Sequence, residues 1–419
     1  MKKQLAGIFA IAMALTMAAC SSDTDSGEAP ANETTTTAEA AGDETTAKAD
    51  EDSAEEETTT ETEPPAPAVE YVEPTAEDFE YSYDAALKGV VITGYNGDAE
   101  AIRIPAELDG DPIKQISIKG GKANNIEFVI PDGTTEIGES TFENCENLTS
   151  VIIPDSVTVI ERRAFYNCKS LTGITIPDSV TTIGSGAFNG CTSLSGITIP
   201  NSVTEIGEGA FVSCKSLTEL TIPDSVLEIG TKAFNGSGLT QITLPDNGVK
   251  IHEEAFINCE SLESITIPDS VKFVFDGFYY NEATGYWNIP GEVIGFNGTF
   301  NGCKNLKEVI IPSSVERIST SAFQNCESLT EITLPDNVIG INNNAFQGCS
   351  NLTSINVPEG VTEISQQAFI GCTKLRSLTL PDSVVDIGGG AFEHCEALTV
   401  TYKGQEYNYT NFTDVYTFW

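Results

Sequence analysis

Phenylalanine recurs at positions 142, 165, 188, 211, 234, 256, 300, 323, 346, 369 and 392, and most of the intervals are 23 residues. A unit of that length cannot bury its own apolar face, so units must stack, each completing the core of its neighbour. The phenylalanines mark eleven such units, and proline keeps the same register at 154, 177, 200, 223, 245, 268, 312, 335, 358 and 381. A chain of 419 residues would otherwise suggest two or three domains; stacking makes one repetitive body the simpler expectation.

One unit shows how a coil should close. It reads Leu148-Thr149-Ser150-Val151-Ile152-Ile153-Pro154-Asp155-Ser156-Val157, continuing through Ile160, Ala164 and Phe165 to Cys168. Alternation predicts a short strand with Val151 and Ile153 inward and Ile152 outward. Pro154 has no N–H and a fixed φ, so it ends the strand, and Asp155-Ser156 favours a turn. Val157 and Ile160 return to the interior on a second extended piece. Ala164 and Phe165 are expected to close the coil through a helical turn. Parallel strands at about 4.8 Å per rung predict a body roughly 55–60 Å long.

The pattern L-x-x-L-x-I-P-D-S-V-x-x-I-x-x-x-A-F-x-x-C resembles the BspA-like, or Treponema-type, class of bacterial leucine-rich repeats over residues 124–398. The resemblance implies a β-rich repeat solenoid with parallel strands on the concave face and short extended or helical-turn segments on the convex side. It also implies a bacterial surface protein, since some members act as adhesins toward host matrix proteins or other cells. Departures from the repeat suggest β caps at both ends. Residues 79–123 alternate apolar with polar and hold a hairpin-type Asn96-Gly97 turn, and residues 399–419 are rich in Tyr, Phe and Thr.

The N-terminus reads as a processing segment. Met1-Lys2-Lys3 is a positive start, and the uncharged apolar run from Leu5 to Ala19 ends at Cys20. Met17-Ala18-Ala19-Cys20 resembles the lipobox of bacterial lipoproteins, which implies a lipid on the Cys20 sulfur and an extracytoplasmic protein anchored to the cell membrane. Ordinary secretion is the rival reading. Residues 21–78 are dominated by Thr, Glu, Ala, Asp and Pro, with Lys48 the single cation. Such a stretch has little apolar surface to bury and repels itself, so it is expected to be a disordered tether spanning about 40 Å or more. The formal charge of −41 argues against nucleic acid, and against any membrane contact other than the lipid.

Three ladders and one interruption are the candidate sites. Cysteines at 145, 168, 191, 214, 259, 303, 326, 349, 372 and 395 share one slot of the coil. Their side chains should point the same way, so buried thiols bonded to nearby backbone are expected in preference to disulfides or a metal site. Asp155, Asp178, Asp224, Asp246, Asp269, Asp336 and Asp382 follow the prolines, and are read as satisfying their own turns before binding Ca²⁺. Thr198, Thr221, Thr243 and Thr266 belong to an outward column completed by Ile152, Ile310 and Asn356, a candidate docking face. Between Pro268 and Phe300 the rhythm breaks for an aromatic insertion at about 273–296 that includes Phe278, Tyr279, Tyr280, Tyr286 and Trp287. A hairpin turning at Asn281–Gly285 is expected there, serving either as a binding loop or as a packed mini-core. No nucleophile motif, phosphate loop, metal site or cofactor site is legible, so an enzyme is not expected. The sequence therefore points to a surface-displayed protein-binding or adhesion module contacting an extracellular protein or a glycan; an envelope scaffold without a ligand is the alternative.

Overall fold

The computed structural model describes residues 71–97, 99, 101–118, 127–275, 280–281, 286–287, 291–293 and 297–408. Cys20, most of the tether and residues 409–419 lie outside them.

Each coil contributes two short strands, which pair in parallel with equivalents in neighbouring coils, the trailing strands more continuously than the leading ones. The leading strands include Ser150–Ile152, Gly173–Thr175, Gly196–Thr198, Glu219–Thr221 and Gln241–Thr243. Val151 is buried and Ile152 is 51% exposed, so the pleat divides inward from outward side chains as the alternation requires. Trailing strands such as Val159–Ile160, Thr182–Ile183 and Glu205–Ile206 are only two residues long, yet they build the more continuous row, part of a twelve-stranded sheet. The leading row is broken into groups of two and three strands.

The segment closing the coil is not the expected helical turn. Arg163 and Asn167 have positive φ, 56° and 58°. Local bonds reach only three residues back, as from Tyr166 N–H to the Arg163 carbonyl at 3.0 Å. The intervening amides turn to the next coil, with Phe165 N–H on the Ala187 carbonyl and Asn167 N–H on the Asn189 carbonyl, both at 2.7 Å. A helix would spend those donors inside the turn; here they join coil to coil.

This arrangement stacks the phenylalanines. From Phe142 to Phe392 successive ring centroids lie 5.2–5.9 Å apart, with planes within 16° of parallel. Beside them each thiol from Cys168 onward donates to the phenylalanine carbonyl of the coil before, as from Cys168 Sγ to Phe142 O at 3.1 Å. The ten described cysteines are buried and form no disulfide with one another, as their in-line placement predicts. Ser237 replaces one of them, and its coil is also a residue short. Gly238 absorbs the loss, because a Cβ there would stand 1.9 Å from the Lys215 carbonyl oxygen.

Both rows begin within the N-terminal region. Ala101–Arg103 pairs with Glu127–Val129 and so starts the leading row, while Asp111–Ile116 pairs with Glu136–Ile137 and starts the trailing one. Phe79–Asp84 and Gly89–Tyr95 form an antiparallel hairpin beside them. Its turn lies at residues 85–88, not at Asn96-Gly97, because the Asp84 carboxylate accepts the Ala86 and Leu87 amides and Lys88 takes positive φ. Tyr71–Asp78, assigned by composition to the tether, is part of the body: Val72 bridges to Ile102, and the Tyr71 hydroxyl donates to Glu127 at 2.8 Å. At the other end Thr399–Tyr402 pairs with Ser377–Leu380, and Gln405–Asn408 folds back antiparallel against it.

The insertion leaves from a trailing strand. Phe273 takes the buried isoleucine slot, and Lys272–Phe275 pairs in parallel with Lys250–His252 on one side and antiparallel with Gly291–Val293 on the other. The twelve-stranded sheet ends there, and a separate four-stranded sheet resumes at Arg317–Ile318. The leading strands pass the insertion, since Ser264–Thr266 pairs directly with Glu308–Ile310. So does the inward column, with Phe256 and Phe300 at 5.9 Å and Cys303 Sγ on the Phe256 carbonyl at 3.2 Å.

Candidate functional site

A leading strand alternates its side chains, so every coil offers one residue of its outward column to solvent. Thr198, Thr221, Thr243 and Thr266 are all exposed there. In-register pairing sets Thr221 beside Thr243, and sets Thr266 beside Ile310 across the insertion. Thr198, Thr221 and Thr243 line a groove of about 550 Å³ together with Asp178, Asp224 and Asp246 from the corners after the prolines. Thr266 continues the column beyond that groove. A second groove of about 530 Å³ lies further along, lined by Glu308, Val309, Ile310, Glu331, Thr333 and Pro335.

The aspartates do not act as the sequence suggests. Each corner is closed by backbone, as from Val180 N–H to the Pro177 carbonyl at 3.0 Å, and the serine after the aspartate ties it to the coil below, as from Ser383 Oγ to the Val361 carbonyl at 2.7 Å. Where an aspartate is bonded it reaches across coils: Asp269 accepts the Ser313 amide at 2.8 Å, and Asp246 accepts the Ser270 hydroxyl. Of this row Asp178, Asp224 and Asp246 line the groove, and Asp246 is the one held there by a serine. Among the described residues no three His, Cys, Asp or Glu side chains converge as metal ligands would.

Ion pairs also run from coil to coil, as in Lys169 with Glu146 at 2.7 Å, Lys304 with Glu260 at 2.8 Å and Lys307 with Glu263 at 2.9 Å. All are exposed, so each is worth at most about 1 kcal/mol. Their bearing on the site is that they occupy nearby cations. Burial has the opposite sign on the thiols, pushing Cys259 up to about 11 and Cys349 up to about 12, which leaves them protonated and poor nucleophiles.

In the insertion, Tyr280–Asn281 and Tyr286–Trp287 form the expected antiparallel pair, with Tyr280 opposite Trp287 and Asn281 opposite Tyr286. Phe278 and Tyr279 lie outside the described residues. The outward column and the hairpin are separate places on the chain, joined through the coil that holds Thr266 and Phe273. Sequence reasoning counted Ile310 as a member of the threonine column and missed its setting. The signal was an isoleucine at a position where most coils carry threonine.

The BspA type leucine rich repeat region model matches in 6 copies over residues 120–239, 227–297 and 294–412. A leucine rich cell surface protein from Faecalibacterium prausnitzii is 34% identical, with 79% of this chain and 95% of that one covered, and a TM-score of 0.54. A leucine-rich repeat protein from Bacteroides ovatus is 27% identical, with 77% and 92% covered and a TM-score of 0.50. No curated protein matches the chain. The repeat, the stacked coils and these matches agree: the chain belongs to the BspA type leucine rich repeat family.

Proposed function

We propose that this protein is a surface-displayed binding module, held by a lipid on Cys20 and an acidic tether, which docks an extracellular protein on its outward leading-strand face. The observation that carries this reading is the outward column itself. It lines grooves with in-register threonines beside carboxylates, and none of those side chains closes its own coil. The uncharged apolar run ending at Cys20 supports export and anchoring, in keeping with the cell surface protein of F. prausnitzii that the chain resembles. The hairpin carrying Tyr280, Tyr286 and Trp287 supports a second contact, to protein or glycan, because aromatic side chains anchor both kinds of interface.

Two experiments test the proposal. Metabolic labelling with a radioactive fatty acid should tag the wild type and not Cys20→Ala; equal labelling would remove the anchor. Pull-downs from matrix proteins, cell-wall fragments and glycans should return a partner. Deleting residues 275–294 in a form that still melts at the wild-type temperature then assigns that partner to the hairpin or to the strand face. Silence across all three sources would favour an envelope scaffold.

A further inference from the structure

The second groove departs from the rest of the outward face in two ways. Ile310 stands in the threonine column and is 62% exposed, among the largest exposures of an apolar side chain in the described residues. Glu308 and Glu331 occupy one slot in consecutive coils, where other coils carry Ser264, Ser354 and Ser377, Gly173 and Gly196, or Glu219 flanked by Gly196 and Gln241. Parallel rungs bring such neighbours to about 5 Å, a spacing at which like charges are destabilising. Among the described residues neither glutamate has an ion pair or a side-chain hydrogen bond, and the adjacent Lys307 is held by Glu263 at 2.9 Å. The leading strands Glu308–Ile310 and Glu331–Ile332 do not pair with each other, so the groove opens at one of the joins that recur along the leading row, as between Gly196–Thr198 and Glu219–Thr221.

Nothing in coil closure calls for an exposed isoleucine between two uncompensated carboxylates, because neighbouring coils close with threonine and serine. We infer that this groove is a docking point for an extended segment of a partner polypeptide, which sets an aliphatic or aromatic side chain on Ile310 and a Lys or Arg against Glu308 and Glu331. The inference rests on the binding-module reading and narrows it to one partner chemistry. The apolar contact supplies the anchor. Charge complementarity selects cationic flanks, raises the association rate and makes it sensitive to salt. The cavity of about 530 Å³ has room for a large side chain and leaves the flanking cations at the exposed rim.

The test uses the full chain in detergent and labelled synthetic peptides read by fluorescence polarisation. One peptide has a central Leu or Phe flanked by Lys, a second has Glu flanks, and a third has a central Thr. The lysine-flanked apolar peptide should bind, and the other two should bind at least about tenfold more weakly. Ile310→Thr should weaken it to a similar degree, and the Glu308→Ser, Glu331→Ser double variant should weaken it and flatten its salt dependence. These substitutions install residues that neighbouring coils already carry in the same slots, so the fold is retained, and an unchanged melting temperature checks it. Equal binding of the acidic twin, indifference to Ile310→Thr, or no binding of any peptide by the folded chain overturns the site. A partner recovered in the pull-downs and held equally by these variants overturns it too, while leaving the binding-module reading standing. Silence in the pull-downs counts against that broader reading instead.

Discussion

The phenylalanine column and the outward threonine column climb the same coils with one residue per turn, and they treat exceptions differently. Phenylalanine is kept in all eleven coils, with consecutive rings near 5.5 Å, as for Phe211 and Phe234. The outward column admits Ile152, Ile310 and Asn356 among its threonines. An inward side chain touches the coils on both sides, so changing one disturbs three. An outward side chain touches mainly solvent, and its identity is free to answer to something outside the fold. Variation in the first column would report on stability; variation in the second reports on what the surface meets.

The largest test of that contrast is Phe211→Ala, which should cost about 3–5 kcal/mol in urea unfolding through the cavity it opens. A loss below about 1 kcal/mol would mean that the inward column is dispensable and the contrast false. Next comes the thiol ladder. Burial raises Cys349 from 9.0 to about 12, so the folded chain holds its proton over a range in which the unfolded chain gives it up. That contribution to stability is complete below about pH 9 and is lost as pH climbs toward 12. A thiol reagent at pH 8 should accordingly leave the native chain unlabelled and react only on unfolding; rapid labelling of the folded form would show the ladder to be open. Thr299 then probes a mixed case, since it sits buried where most coils have alanine and its hydroxyl has no partner among the described residues. Thr299→Ala should stabilise by about 1 kcal/mol, and destabilisation would reveal a bond that the hydroxyl makes. Smallest of all, Thr221→Ser should move the melting midpoint by less than the equivalent of about 0.5 kcal/mol, and any larger shift would give the outward column a structural duty.

Much of this architecture was legible because apolar periodicity and packing state the same thing. Val151, Ile153, Val157, Ile160, Phe165 and Cys168 are all buried as their spacing requires. The coil-closing segment was misread, although its signal was in the sequence. Positions two before and two after each phenylalanine take positive φ, and the second of these is mostly Asn or Gly, as at Asn144, Asn167, Gly190, Gly236, Asn258 and Gly302. Those residues tolerate the left-handed conformation and weaken helices, so their recurrence argued against a helical turn. The Asn96-Gly97 dipeptide misled for a local reason: the Asp84 side chain caps a different turn earlier in the chain. The candidate site was legible only in part. Thr198, Thr221 and Thr243 fall in one groove as their register implies, but a repeat consensus treats Ile310 as one more member of a column. Its meaning depends on the unpaired glutamates of its own and the following coil.

The break in the trailing row has a mechanical side. Coils beyond the insertion are tied to those before it chiefly by one pair of leading strands and by the closing segment with its phenylalanines and thiols, because the trailing row stops at Gly291–Val293. In a linear stack, stability is a chain of neighbour interfaces, and the weakest sets where opening begins. The junction between the Phe256 and Phe300 coils, with the widest ring spacing in the column and a Thr299 hydroxyl unbonded among the described residues, is the expected place for that interface. Amide exchange should divide the body there into two blocks of different protection, with the Ile310 groove on the far one. If the N-terminal end is anchored as proposed, a partner gripping that groove and pulling would load this seam.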